Sequence, residues 1–363
     1  MTIKKQLEIA RNKAALGERL SKEDALLLYE DNDLLSLAEW ARAQKERKSG
    51  KNVFYIINRH INLTNICSSN CPLCAFQCKS GDKQGYTLES EDITKILSDV
   101  KNVDGLSEIH IVSALHPTKP FEYYVDIVKQ IKNVLPNVSI RAFTPVEIVN
   151  FSRQSSKSIE DVLKVLIRAG VNSLLGGGAE ILSERVRKII CPKKATSEEW
   201  LSVMETAHKL NIKTNASIMY GHVETIEERV DHLIKLRDLQ DKTSGFQAFL
   251  MFPFHPTNTE LGRIYNLKRV SAWEDLKMIA LSRLILDNFD HIKAFWVMIT
   301  IGVAQLSLAF GADDLDGTIG EEKIIHAAGS SETSGITQEF LKKIITETGY
   351  MPVECDSFYN QKR

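Results

Sequence analysis

Residues 54–79 read FYIINRHINLTNICSSNCPLCAFQCK, an apolar run that gives way to four of the chain's six cysteines. The first ten residues, 54–63, are rich in β-branched and aromatic side chains and form a strand candidate. The cysteines after them follow neither the helical nor the strand period, which places them in a loop at the strand's C-terminal end. Cys67, Cys71 and Cys74 make a CxxxCxxC set, and Cys78 lies just beyond it.

Outward from this stretch the chain alternates. Further strand candidates are 107–114, 138–144, 171–175, 212–220, 246–254, 291–299 and a short last one at 312–317. Amphipathic helical patterns separate them, among them SIEDVLKVLIRAG and TIEERVDHLIKLRDLQ. Thr196 with Glu199, Thr225 with Glu228 and Ser271 with Glu274 have capping-box spacing, as does Ser21 with Asp24 near the N-terminus. Eight strands with helices between them predict an α/β fold, a (β/α)8 TIM-type barrel. The expected organisation is an N-terminal helical extension over 1–49, the barrel over 50–340 and a tail over 341–363 packed on it. The apolar stretch 294–312, AFWVMITIGVAQLSLAFGA, is long enough to suggest a membrane span. Thr300, Gly302, Gln305 and Ser307 interrupt it, so it is expected to be a buried strand running into a buried helix.

The 46 basic and 47 acidic residues nearly cancel, which gives no electrostatic reason to expect a nucleic-acid partner. The N-terminal stretch MTIKKQLEIARNKAALGERL is charged and periodic, without the apolar core of a signal peptide. A cytoplasmic location is the expectation, with its thiols reduced.

In a TIM-type barrel the turns after each strand gather at one mouth, where the chemistry sits. The unusual segments of this sequence fall at such positions: the cysteine loop, SALHP at 113–117, TPVE at 144–147, GGGAE at 176–180, YGHVET at 220–225, FHPTNTE at 254–260 and DDLDG at 313–317. The cysteine spacing lacks the second pair of a zinc knuckle. A redox CxxC reading of Cys71 and Cys74 meets the wrong fold for such a pair. Three thiolates suit a [4Fe-4S] cube with one iron left open, and Cys78 as a fourth ligand would close that position.

The motif CSSNCPLC, with Leu73 before its last cysteine and a barrel strand before it, resembles the signature of the radical S-adenosylmethionine superfamily. NRHINLTNIC, EIHIVSALHPTKPFEYY, IRAFTPVEI, LLGGGAEI, ICPKK, NASIMYGHVET, FQAFLMFPFHPTNTEL, HIKAFWVM and FGADDLDGTIGEEKIIHAAG extend the resemblance over about residues 50–330, to the aminofutalosine synthase family of the futalosine route to menaquinone. The resemblance implies S-adenosylmethionine as a consumed co-substrate, cleaved at a cluster held by Cys67, Cys71 and Cys74. It implies addition of the 5'-deoxyadenosyl radical to 3-[(1-carboxyvinyl)oxy]benzoate, aryl migration and decarboxylation, with flavodoxin or ferredoxin as electron donor. The related families that abstract hydrogen instead, dehypoxanthine futalosine cyclase and deazaflavin-forming synthase, are the rival reading. Where many superfamily members carry Gly-Gly at the end of strand two, this chain has Ser113-Ala114.

For this chemistry the sequence offers Leu73, Ser113, Glu180, Asn215 and Ser217 as cofactor-binding candidates, and His60, Asn62, Tyr220, His255 and His326 for the substrate. Arg141, His222 and Asp316 are the catalytic candidates. Glu180 follows three glycines that let the chain turn close to a ligand, and no GK[ST] follows to make a phosphate loop. Arg141 has a fork suited to a carboxylate, against the alternative of pairing with a barrel acid, and His222 alternatively caps a helix. Asp313, Asp314 and Asp316 lack the rest of an EF-hand. Phe76, Phe252, Phe254 and Trp296 are candidates for an apolar wall.

Overall fold

A computed structural model describes residues 2–362. The predicted first strand is present as two halves, β1 (Asn52–Ile56) and β2 (Asn58–Asn62), separated by Ile57. The other strands are β3 (Glu108–Val112), β4 (Ser139–Ala142), β5 (Ser173–Leu174), β6 (Lys213–Tyr220), β7 (Phe246–Pro253), β8 (His291–Lys293), β9 (Asp314–Gly317) and β10 (Met351–Glu354). They run β10-β1-β9-β8-β7-β6-β5-β4-β3-β2, and every ladder is parallel. Because β1 pairs with β9 while β2 pairs with β3, the offset at Ile57 joins the two sides of the sheet and curls it into a TIM-like barrel.

The helices form because their sequences carry start signals as well as an apolar stripe. Thr196, Thr225 and Ser21 complete capping boxes with Glu199, Glu228 and Asp24, while Ser271 accepts the Glu274 amide. Three N-terminal helices, Ile3–Leu16, Lys22–Glu30 and Leu34–Ser49, pack over the outer helices Ile226–Thr243 and Ala272–Ile285. Arg19 bridges Asp241 at 2.6 Å and Asp287 at 2.8 Å, and Lys277 Nζ reaches the Tyr29 carbonyl at 2.7 Å.

Two segments depart from the sequence expectation. The predicted strand 291–299 stops at Lys293, and Trp296–Ile299 is a helical turn followed by the helix Ile301–Ser307. All four residues of that turn are buried, so the segment has no polar face by which its period could be read. No helix among the described residues is long and apolar enough to cross a membrane. Residues 351–354, expected to lie in a tail, add β10 to the sheet beside β1.

Apolar packing divides into one body centred on Trp200, Phe249, Phe289 and Trp296, and another on Ile109, Ile140, Phe143 and Phe151. A smaller cluster of Cys71, Leu73, Ile181, Ile190, Cys191, Phe254 and Leu261 seats the cysteine loop.

Candidate active site

The strand ends surround a cavity of about 330 Å³. Cys67, Cys71 and Cys74 lie on its wall, and none is in a disulfide. Gln77 shapes the loop, accepting the Cys71 amide at 3.1 Å and donating to the Cys71 carbonyl at 2.8 Å. Asn70, at φ 49, occupies the left-handed region that asparagine tolerates. Cys78 is off the wall: its amide donates to Asn65 O at 2.7 Å, its carbonyl accepts from Cys67 N at 3.0 Å, and the pair of bonds closes the loop's base.

Burial pushes the Cys71 thiol up to about 12 and raises Cys74 too, against the pull of the Lys194 ammonium. Thiolates at these positions therefore need a cation beside them, which a bound metal supplies while deprotonating its own ligands. Among the described residues no trio of His, Cys, Asp or Glu is arranged to hold a single metal ion. A cube makes a different demand, since each thiolate binds a separate iron.

Next to the thiols, Glu180 accepts from Lys194 Nζ at 2.6 Å, both on the wall. Burial would raise the Glu180 carboxyl, but Lys194 more than offsets it and holds the group ionised below its ordinary value. The glycines before it are required by space: a Cβ at Gly176 would stand 2.5 Å from the Asn215 carbonyl oxygen, and Gly178 sits at φ 77. Ser217 ties β6 to this turn, its hydroxyl donating to Gly176 O at 2.7 Å. Ser113 donates its amide to Glu147 Oε1 at 2.8 Å, so a buried carboxyl group fixes the Ser113-Ala114 turn. Burial raises the Glu147 carboxyl to about 7, its bonds to Thr144 and Ser113 notwithstanding.

The other side of the cavity is aromatic and imidazole. His60 stacks on His110 with centroids 4.6 Å apart and lies along Phe295 at 6.4 Å; Phe252 extends this wall, while Phe254 and Phe76 line the cavity beside the cysteine loop. Burial, with His110 adding to it, lowers the His60 imidazole to about 3 and keeps it neutral. Asp316 reaches the wall from β9 with Lys293 Nζ at 2.8 Å. His255 is also on the wall, its Nε2 at 2.9 Å from Met298 O. Three buried polar atoms on cavity-lining residues have no partner among the described residues: His60 Nε2, Ser113 Oγ and Asn215 Oδ1. Such atoms are costly to bury and mark where polar atoms of a ligand belong.

Leu73, Ser113, Glu180, Asn215, Ser217, His60, His255 and Asp316 thus share one chamber with the three cysteines. Five other candidates do not line it. Arg141 is buried against Glu108 at 3.0 Å and the Ser357 carbonyl at 2.9 Å, so its Nε and Nη2 are engaged inside the barrel while Nη1 has no partner among the described residues. Tyr220 has the opposite strand parity to Asn215 and Ser217, and its hydroxyl donates to Asp275. His222 packs its Nδ1 against Glu224 at 2.6 Å, and Asn62 donates to Val112 O at 3.3 Å. His326 lies between Glu322 at 3.3 Å and the Glu332 carbonyl at 2.8 Å. Trp296 does not line the wall either; its indole donates to Gly317 O at 3.0 Å. Sequence reasoning missed Lys194, Glu147, His110 and Phe295. All four lie in stretches quoted above, Lys194 in ICPKK, Glu147 in TPVE, His110 in EIHIV and Phe295 in HIKAFWVM, but none was singled out there.

Residues 61–236 match the Radical SAM superfamily, and residues 243–363 match the CofH/MqnC C-terminal region. Over 348 residues, 96% of this chain and 93% of the other, the chain is 41% identical to the aminodeoxyfutalosine synthase of Thermus thermophilus. It is 40% identical to that of Streptomyces coelicolor, covering 98% and 93% of the two chains. It is 38% identical to a 5-amino-6-(D-ribitylamino)uracil–L-tyrosine 4-hydroxyphenyl transferase of Methanococcoides burtonii, covering 94% and 96%. Among solved structures, methylornithine synthase superposes with a TM-score of 0.74 at 18% identity, covering 94% and 97% of the two chains, a likeness of fold. Identity of this extent to nearly full-length relatives places the chain: it belongs to the radical SAM superfamily, as an enzyme of the branch that includes the aminodeoxyfutalosine synthases.

Proposed function

We propose that the chain is an aminodeoxyfutalosine synthase of menaquinone biosynthesis. It transfers the 5'-deoxyadenosyl group of S-adenosylmethionine to the vinyl carbon of 3-[(1-carboxyvinyl)oxy]benzoate; the aryl group migrates from oxygen to carbon, the carboxylate leaves as carbon dioxide or bicarbonate, and 6-amino-6-deoxyfutalosine and methionine result. The observation that carries this reading is a single cavity with two chemically distinct sides, thiols with Glu180 and Lys194 on one and imidazole, carboxylate and aromatic rings on the other. The roughly 40% identity to two synthases supports it.

In this reading Cys67, Cys71 and Cys74 hold a [4Fe-4S] cluster, and burial that disfavours the free thiolate forms of Cys71 and Cys74 suits those two to that task. When bound, such a cluster would supply the electron for cleaving the sulfonium of S-adenosylmethionine. Glu180 accepts the methionyl amine, Lys194 keeps that carboxylate ionised, and Ser113 and Asn215 offer their unpartnered oxygens to the cofactor's polar groups. Ser217 acts indirectly, by fixing the glycine turn. Phe252 and Phe295 enclose the benzoate ring and keep stray hydrogen donors away from the reacting carbon. His60 Nε2, as an N–H donor, meets the substrate's carboxylate end, Asp316 lines the same side with its charge balanced by Lys293, and His255 lies at the rim. Arg141, His222, Tyr220, Asn62 and His326 act as scaffold. A flavodoxin or ferredoxin type of protein supplies the electron.

The methanogen transferase at 38% identity and the match to the CofH/MqnC region favour one alternative, hydrogen abstraction by the adenosyl group. Anaerobic reconstitution with iron and sulfide, then mass analysis of products from S-adenosylmethionine and the enol-ether benzoate, separates the two. The expected product carries the adenosine and has lost one carboxylate; 5'-deoxyadenosine as the sole adenosine product would overturn the assignment.

A further inference from the structure

We propose that the C-terminal segment Cys355–Asn360 closes the barrel behind the substrate side of the chamber wall and that Tyr359 is a positioning residue for Asp316. The inference rests on the reading above of the His60 and Asp316 side as the substrate's.

β10 pairs with β1 from Asn52 with Met351 to Tyr55 with Glu354, and the residues after it turn under the barrel at the strands' N-terminal ends. There the segment is built in. Ser357 is 1% exposed, and its carbonyl accepts from Arg141 Nη2 at 2.9 Å and Gln247 Nε2 at 3.2 Å. The Tyr359 ring stacks on His291 with centroids 3.6 Å apart, its edge meets Phe54 at 5.5 Å, and its hydroxyl donates to Asp314 Oδ2 at 2.6 Å.

From these anchors two chains of buried side chains climb to the chamber wall. In the first, Tyr359 holds Asp314, Asp314 shares Lys293 Nζ at 3.2 Å, and Lys293 holds Asp316 at 2.8 Å. In the second, the Ser357 carbonyl holds Arg141, Arg141 holds Glu108, Glu108 holds His110, and His110 stacks on His60. Asp316, His110 and His60 all face the cavity. The tail therefore sits behind both polar features of the substrate side.

Three carboxylates, Glu108, Asp314 and Asp316, compete here for two permanent cations, Arg141 and Lys293. Which carboxylate Lys293 favours depends on how well the others are satisfied. The Tyr359 hydroxyl supplies Asp314 with a donor and leaves Lys293 free to orient Asp316; without it, Asp314 draws the ammonium down and Asp316 loses its anchor. Tyr359, at one end of this chain, stands at φ 63, a conformation that a bulky side chain keeps only where its surroundings enforce it.

Tyr359→Phe tests this in the reconstituted full-length enzyme, because it keeps the ring stack and removes only the hydroxyl. The expected variant keeps wild-type iron content and melting temperature, with a substrate KM raised about tenfold, an unchanged cofactor KM and a larger share of cleaved cofactor released as 5'-deoxyadenosine. Hydrogen exchange at the Asp314–Gly317 amides is a readout independent of substrate, and it should quicken. Wild-type kinetics and exchange would overturn the proposal. So would an activity loss that only tracks lost iron or a lowered melting temperature, since that is what a structural anchor produces. Failure of the wild-type enzyme itself to form the adduct would count against the substrate reading, and the exchange rates would still decide the role of Tyr359.

Discussion

Cys71 and Cys78 stand seven positions apart and face opposite fates: one thiol is on the cavity wall with a cation as its only route to ionisation, the other accepts from Asn65 Nδ2 at 3.3 Å outside it. Replacing Cys67, Cys71 or Cys74 by Ala is therefore expected to abolish iron binding and methionine release. Cys78→Ala should keep both, as read by iron content and visible absorbance of anaerobically prepared protein. A colourless, iron-free Cys78→Ala protein would contradict the ligand assignment. Glu180→Gln removes the charge that Lys194 balances and the acceptor proposed for the methionyl amine. A charged hydrogen bond is worth about 1.5–3 kcal/mol, so S-adenosylmethionine affinity should fall roughly 10- to 100-fold, measured by calorimetric titration. Residue chemistry was legible where it was local. The cysteine spacing, the glycines before Glu180 and the strand-end position of Asp316 each carry their reason in adjacent sequence. Arg141 pairs with Glu108, 33 residues earlier, in line with the alternative of a barrel acid, and nothing near it in sequence says which acid that is. Glu147 was quoted only as part of a turn, since its bond to Ser113 crosses between neighbouring strand ends.

At the scale of elements, the turn after β5 has no room for a side chain. Gly176→Ala puts a methyl 2.5 Å from a backbone oxygen of β6, which cannot yield as a side-chain tip would. Overpacking of this kind costs about 1–3 kcal/mol, and the expected result is a melting temperature lower by several degrees with weakened cofactor binding. Between the helix Ala272–Ile285 and the start of β9, Arg283 Nη2 meets Asp313 Oδ1 at 2.7 Å with both side chains fully buried. Burial would raise the Asp313 carboxyl, but Arg283 and His291 outweigh it and bring it from 3.8 to about 2. A carboxyl depressed in the folded state contributes stability that is complete above its unfolded value and is lost as pH falls through the folded one. Denaturant unfolding should therefore show a loss between about pH 4 and pH 2 to which this group contributes one proton. Asp313→Asn should flatten that part of the dependence and, by stranding a buried guanidinium, cost about 3–5 kcal/mol at neutral pH. Elements with capping boxes were readable from sequence because cap and stripe agree, as at Thr196 and Thr225. The segment after Lys293 was not, because a wholly apolar run has no period to betray its turn.

For the molecule as a whole, the alternation of strands and helices made the barrel legible, while the way it closes was not. The offset at Ile57 and the insertion of β10 beside β1 are long-range pairings, joining residue 52 to residue 351, and no local pattern encodes them. The same barrel geometry puts the thiol side and the aromatic side of one chamber face to face, and the proposed reaction needs that arrangement: the carbon freed from the cofactor must meet the vinyl carbon before any other hydrogen donor. The most direct measurement follows that carbon. With S-adenosylmethionine labelled with carbon-13 at the 5' position, and the enol-ether benzoate as second substrate, carbon-13 NMR of the products should show the label as a methylene joined to a new carbon. Label found only in the methyl group of 5'-deoxyadenosine would contradict radical capture by the substrate and place the enzyme with those that abstract hydrogen.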